Sequence, residues 1–330
     1  MRPTQVAEAT KLLYAKRRPG FIWGPPGAGK SDVMRQVAEE EKLGLIDIRL
    51  SMLDPTDLKG FPIADREKNV MRWLTADFLP HDPKWKGIIF FDEANSAPKT
   101  VEAPMYQLSL DRRLGDYVLP EGAHIMMAGN RESDRAIANR MSSALQNRLI
   151  HIDYEVHLDD WITWAIQKGK IMTELTGFMR FRPALLHKFN PDSKAWPSPR
   201  SWAFVSQIIH SGISRDTELE LIKGAVGDGP ASEFMAYLNV YRDLPSMDRI
   251  LANPTKERIP EGADSCYAIT TSLAEHTTKE TFGKMMQYVT RMSMEYQVVF
   301  IRDAVRQQAP VENTKEFIKW CSDNSDVLAG

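Results

Sequence analysis

Cysteine is scarce. Cys266 and Cys321 are the only two in 330 residues, which rules out a disulfide framework or a cysteine-built metal site. Their scarcity fits a reducing compartment, and both read as free thiols packed fully or partly inside. The seven histidines are scattered, with no H-E-x-x-H and no Cys/His spacing, so no metal is expected except one brought by a nucleotide. No window approaches 18 apolar residues, and the opening stretch MRPTQVAEATKLLYAKRRPG lacks the apolar core of a signal peptide. The expectation is a cytoplasmic protein with no membrane contact. Excess charge is missing too: 42 basic against 44 acidic residues leave a net charge of −2. That gives no global attraction to nucleic acid or anionic lipid, and no long run of like charge supplies a local one. Internal repeats and low-complexity segments are also absent.

What is present is ample core material, 43% hydrophobic residues, in a chain long enough for about two domains. Residues 4–17 have helical periodicity, with Val6, Ala9, Leu12 and Leu13 roughly on one face, and Pro19-Gly20 ends them. A short strand follows at 21–23, then a glycine loop and a helix from about 31 to 42. Residues 43–51 alternate as a strand. The turn-rich, polar stretch after them reads as a hairpin inserted at about 54–78. GIIFFDE (87–93) and AHIMMAGN (123–130) are apolar runs of the kind buried on both faces of a parallel sheet. Helices are expected over 98–112 and 134–146, and a last strand over 148–156. Strands alternating with helices predict a doubly wound α/β domain over 1–156. Beyond it, helical periodicity broken by Pro191, Pro197, Pro199, Gly227, Gly229, Pro254 and Pro260 predicts a helical domain over 157–250 and a helical extension over 251–330.

The loop FIWGPPGAGKS (21–31) explains its own composition. Gly24, Gly29, Lys30 and Ser31 fit G-x-x-x-x-G-K-[ST], the P-loop, and the loop stands between a strand and a helix as that motif requires. Gly24, Pro25, Pro26, Gly27, Ala28 and Gly29 supply a turn whose N–H groups, those of its non-proline residues, can converge on phosphate oxygens. The helix start adds free donors and the positive end of its dipole. Lys30 is expected on the β- and γ-phosphates, and the Ser31 hydroxyl on Mg²⁺. The loop alone indicates only a nucleoside triphosphate.

A second motif indicates hydrolysis. IIFFDEAN ends a buried strand on Asp92 and Glu93. Two acids directly after four buried residues are costly without a cation nearby. Asp92 suits a ligand reaching Mg²⁺ through water at the carboxyl end of the sheet, and Glu93 a group that orients and deprotonates water. The cofactors expected are therefore Mg²⁺ and a nucleoside triphosphate; neither motif selects the base.

With both motifs placed, the chain resembles the AAA+ ATPases and, within them, the MoxR family, over about residues 20–245. FFDEANSAPKTVEAPMYQLSLDRRL is similar to the family's Asp-Glu pair followed by Asn, an Ala-Pro turn and a long helix. SMLDPTDLKGFP resembles the segment before its helix-2 insert hairpin. The resemblance implies ATP as the nucleotide, and an AAA+ P-loop NTPase core with a C-terminal helical lid domain and, here, an extra helical tail. It assigns Asn130 as sensor 1, reading the γ-phosphate, and Arg148 as an arginine finger acting on the neighbouring subunit's nucleotide, with Arg140 as the competing choice. Arg200 in WPSPRSW is implied as sensor 2; an Arg at a helix start is unfavourable to the dipole and calls for an anion. Where relatives carry Asn-Pro after sensor 1, this chain reads AGNRESDR, which leaves Arg131 and Arg135 either solvated or reaching a neighbour's phosphates. The segment before the P-loop is short, and Val6 is either an adenine contact or core.

The family further implies a homo-oligomer, a hexameric ring, and a chaperone-like role: remodelling, activating or inserting a metal or cofactor into a client protein. The expected partner bears a von Willebrand factor A domain on a separate polypeptide, because D-x-S-x-S is absent here. Two other readings stay open: a nucleic-acid motor, disfavoured by the near-neutral charge, and an ATP-dependent scaffold without turnover, disfavoured by Glu93, Asn130 and Arg148 together. Phe61 and Trp73 either contact a client or anchor the hairpin. The Trp161/Trp164 and Phe178/Phe181 pairs and the methionines of MMQYVTRMSM (285–294) read as packing.

Overall fold

The computed structural model describes residues 1–131, 141–209 and 211–325. The chain divides into two compact units, Met1–His157 and Leu158–Gly330. In the first, α1 (Pro3–Lys16) opens on a proline that gives up only a donor the first turn leaves free. It closes at Arg17 in the left-handed conformation. Then come β1 (Gly20–Trp23), α2 (Lys30–Glu40) and β2 (Gly44–Arg49). Next, α3 (Pro55–Lys59) leads to an antiparallel hairpin of β3 (Phe61–Asp65) and β4 (Val70–Leu74). Phe61, Ile63, Val70 and Leu74 share its exposed face, while Trp73 is half-buried with the Lys59 ammonium 4.4 Å from its ring centroid.

The unit continues with β5 (Lys86–Asp92), α4 (Lys99–Asp111), the short pair β6 (Arg113–Leu114) and β7 (Tyr117–Val118), and then β8 (Gly122–Gly129). It ends with α5 (Ser143–Gln146) and β9 (Ile150–Asp153). Of the helix expected over 134–146, residues 134–140 lie outside the described residues, Arg135 and Arg140 among them; in the described part residues 141–142 are not helical, and Ser142 in extended backbone starts the short α5. The β6–β7 pair and the 3₁₀ turns at 50–52 and 94–96 had no signal in the sequence, since two or three residues are too few to show a period.

Five strands form one parallel sheet in the order β2-β5-β8-β1-β9. The chain leaves β1 for the far edge and returns to both sides of it, so the order reverses at β1. A crevice opens there at the carboxyl ends of the strands. Successive side chains of the central strands alternate between two buried faces, as the pleat requires. Ile88 and Phe90 join Ile22, Met126, Ala128 and Ile152 on the face covered by α1 and α2, through Val6, Leu13, Val33, Met34 and Val37. Val6 is fully buried in that cluster and is a core residue. Ile89 and Phe91 join Phe21, Ile125 and Met127 on the opposite face, against Val101, Met105 and Leu108 of α4. The two apolar runs are therefore continuous in sequence because both faces of the sheet are covered.

A titratable side chain also lies within this core. His124 of β8 is only 2% exposed, its ring meets Tyr14 edge-on at 5.7 Å, and its Nε2 has no hydrogen-bond partner among the described residues. Burial, and then the Arg112 charge, push its pKa from 6.5 down to about 4. The unfolded chain therefore takes up this proton first as pH falls, and stability is lost between 6.5 and about 4. Between pH 7 and pH 5 this group is expected to cost about 2 kcal/mol. Urea unfolding at the two pH values checks it: His124→Phe, which cannot be protonated, should lose correspondingly less than the wild type.

The second unit is helical. It comprises α6 (Leu158–Trp164), α7 (Thr173–Phe181), α8 (Pro199–Ile208), α9 (Arg215–Val226), α10 (Asp228–Arg242) and α11 (Met247–Ala252). After these come α12 (Ala263–Glu275), α13 (Phe282–Val289), α14 (Met294–Arg306) and α15 (Lys315–Asp323). Phe178, Trp202, Phe234 and Tyr237 pack ring on ring, joining α7, α8 and α10. Trp161, Met285, Met286 and Met292 are buried, so these aromatics and methionines are packing residues. α12 packs against α7, α10 and α14. Arg180 of α7 and Asp303 of α14 form a buried ion pair, and Arg306 bridges Asp303 to Asp159, each at 3.2 Å. Among the described residues, no helix is long and apolar enough to cross a membrane.

Candidate nucleotide site

The P-loop occupies the crevice where the strand order reverses, between β1 and α2. Gly27 and Gly29 take φ of 74° and 96°, left-handed values that a side chain would resist. A Cβ on Gly24 would stand 3.1 Å from the Tyr154 Cβ. Lys30, 8% exposed, folds back over the loop. Its ammonium donates to the carbonyls of Gly24 (2.8 Å) and Pro25 (3.1 Å) and to Asn130 Oδ1 (3.2 Å). Beside it the Ser31 hydroxyl donates to Asp92 Oδ2 at 2.8 Å. A hydroxyl and a carboxylate in contact are hard oxygen donors of the kind Mg²⁺ takes along with phosphates and water. Among the described residues no cluster of three or more His, Cys, Asp or Glu could hold a metal unaided. The donor set thus fits a cation that arrives with a nucleotide.

Glu93 has φ 54° and ψ 32°, left-handed backbone for a residue with a full side chain. Holding it there costs on the order of 1–3 kcal/mol, strain of the sort found at functional sites. The Glu93 N–H donates to Asp92 Oδ1 at 2.9 Å, and its carboxylate accepts a hydrogen bond from the Ser51 hydroxyl. Nearby on β2, burial and then the Asp92 charge raise the Asp47 carboxyl above its usual range.

Lys30, Ser31, Asp92 and Asn130 are therefore brought together, with Glu93 adjoining them through Asp92. Arg148 lies just beyond α5 and is exposed, its N–H bonded to the Leu145 carbonyl. Arg200, also exposed, belongs to the second unit. It stands in the first turn of α8, which Ser198 and Ser201 cap reciprocally. Arg131 is engaged within its own unit: it donates to the Tyr154 carbonyl at 2.7 Å and its Nε lies 3.9 Å from Asp153 Oδ1.

Three residues here carried no assigned role in the sequence reading: Ser51, Asn95 and Tyr154. Tyr154, 2% exposed, donates its hydroxyl to the Ala28 carbonyl at 3.0 Å and braces the loop from beyond β9. Tyr154→Phe should leave that buried carbonyl unsatisfied and loosen the loop, weakening nucleotide affinity about 5-fold. Titration with a fluorescent ATP analogue checks this. Asn95 donates through Nδ2 to the Asn130 carbonyl at 2.7 Å and accepts from the Asn130 N–H at 3.2 Å. It lay inside the segment that resembles the MoxR pattern, the one signal that pointed toward it.

A parallel sheet in this order, with its glycine loop between β1 and α2, defines a P-loop nucleotide-binding α/β domain. Residues 21–152 match the model of AAA, the ATPase family associated with various cellular activities, so the stretch carrying the site is an AAA domain. No curated protein matches the sequence. Among solved structures, a Cytophaga hutchinsonii protein classed as an ATPase is similar at 15% identity and TM-score 0.37, covering 90% of this chain and 80% of that one. A RuvB variant from Thermotoga maritima is similar at 16% identity and TM-score 0.40, covering 87% and 85%.

Proposed function

We propose that this protein is a Mg²⁺-dependent ATPase of the MoxR branch of AAA+ proteins, acting as a hexameric ring that remodels, activates or inserts a cofactor into a client protein. The observation that carries the proposal is the joining of Lys30, Ser31, Asp92 and Asn130, with Glu93 alongside, at one end of the sheet. A protein that only binds nucleotide needs no water-activating acid held in strained backbone. Lys30 binds phosphate, Ser31 and Asp92 hold the cation, Glu93 orients water and takes its proton, and Asn130 senses the γ-phosphate. Bound Mg²⁺ supplies charge neutralisation along the phosphates. Arg148 acts as an arginine finger on a neighbour's nucleotide, and Arg200 is assigned as sensor 2. The partner is a von Willebrand factor A domain protein on a separate chain, and the setting is cytoplasmic. The similarity of 51–62 and 90–114 to MoxR segments supports the branch assignment.

Phosphate release per chain, followed from nanomolar to micromolar protein alongside sedimentation, tests the proposal. Turnover should require Mg²⁺ and rise as the ring assembles. Demonstrably monomeric protein working as fast per chain as assembled protein overturns the ring.

A further inference from the structure

An asparagine side chain carries one carbonyl and one NH₂, the same donor–acceptor pair a strand backbone presents to its neighbour. The β5–β8 ladder ends at Phe91 and Met127. Beyond it, Asn95, 5% exposed in the turn after β5, takes the place of a strand. Its Nδ2 donates to the Asn130 carbonyl at 2.7 Å and its Oδ1 accepts from the Asn130 N–H at 3.2 Å. Only one orientation of the amide satisfies both bonds. Gly129 has to be glycine for this: a Cβ there would stand 2.1 Å from Asn95 Oδ1. The segment so held reaches the P-loop twice. The Gly129 carbonyl accepts from the Gly24 N–H at 3.2 Å, and Asn130 Oδ1 accepts from Lys30 at 3.2 Å.

We propose that Asn95 is a positioning residue for hydrolysis: by pairing with both backbone groups of Asn130, it sets that side chain against Lys30 at the phosphate end of the pocket. The proposal rests on the reading of Asn130 as the γ-phosphate sensor. Asn95 touches neither nucleotide nor water in this scheme; it acts through Asn130. Without it the end of β8 loses its last two bonds to the β5 side, and the Asn130 amide is free to turn away from Lys30. Binding, which depends on the loop and Lys30, should survive, whereas the catalytic step should not.

Asn95→Asp keeps the size and the acceptor but sets a carboxylate oxygen against the Asn130 carbonyl. It is expected to lower kcat about 10-fold or more with ATP affinity within about 3-fold of wild type. Gly129→Ala, which wedges the same contact from the other side, should show the same split. The double variant Asn95→Asp with Asn130→Ala should be no slower than Asn130→Ala alone, because both act through one group. Losses that multiply overturn the positioning role. A second readout needs no turnover: in nucleotide-free protein the Asn130 backbone amide should resist hydrogen exchange, and Asn95→Ala should speed its exchange at least about 10-fold while the amides of β1 and β5 stay protected. Equal exchange in the two proteins overturns the inference. If wild type binds ATP but never hydrolyses it, the proposed function fails, and the exchange result still decides whether Asn95 holds Asn130.

Discussion

Glu93→Gln should lower ATP turnover by about 100-fold or more while leaving ATP affinity within about 3-fold of wild type. Glutamine has the same length and its carbonyl oxygen can still accept from Ser51, so the strained turn at φ 54° keeps its support. The loss is chemical. An amide cannot take a proton from water at neutral pH, and general-base catalysis by a positioned carboxylate is worth about 10²–10⁴. Binding should persist because Lys30, the loop N–H groups and the Ser31–Asp92 pair are untouched. Phosphate release and titration with a fluorescent ATP analogue measure the two quantities separately. Turnover that survives the substitution intact would remove Glu93 from the mechanism and return the site to a binding role.

The second large effect belongs to Arg148. Arg148→Ala is expected to reduce turnover by about 10³, the scale on which a trans-acting guanidinium stabilises the charge of phosphoryl transfer. Its character can be separated from its size by mixing subunits. Lys30→Ala spoils a subunit's own pocket but leaves its Arg148 available to a neighbour, and Arg148→Ala does the reverse. Each protein alone should be nearly inactive. A one-to-one mixture should recover activity at about a quarter of the interfaces in a closed ring, where an intact pocket meets an intact arginine. A mixture no more active than its components would place Arg148 inside its own subunit's chemistry, or outside the chemistry altogether. Arg131 is a weaker choice for this role, being already bonded to the Tyr154 carbonyl.

The local features of this chain were legible because each is dictated by nearby atoms. Phosphate binding by a backbone turn requires glycines at fixed offsets and a lysine at the helix start, so Gly24, Gly29, Lys30 and Ser31 could be read directly. The strand at 87–93 was readable because burial on both faces leaves a continuous apolar run, and an acid pair at its end has few structural excuses. Val6 could only be given alternatives, because core and contact positions share one chemistry; burial decided it.

Other features depended on residues distant in sequence. Nothing in the composition of β8 says that Asn95 would cap it from 35 positions away, that Tyr154 would brace the loop 126 positions earlier, or that Arg131 would turn to the Tyr154 carbonyl. Local sequence determined the elements and the phosphate-binding turn, because φ/ψ preference, hydrophobic period and helix-start donors act over a few residues. The tertiary structure alone decided which side chains hold that turn in place. Hydrogen bonds across a sheet depend on strand order, and strand order is set by how the whole core packs.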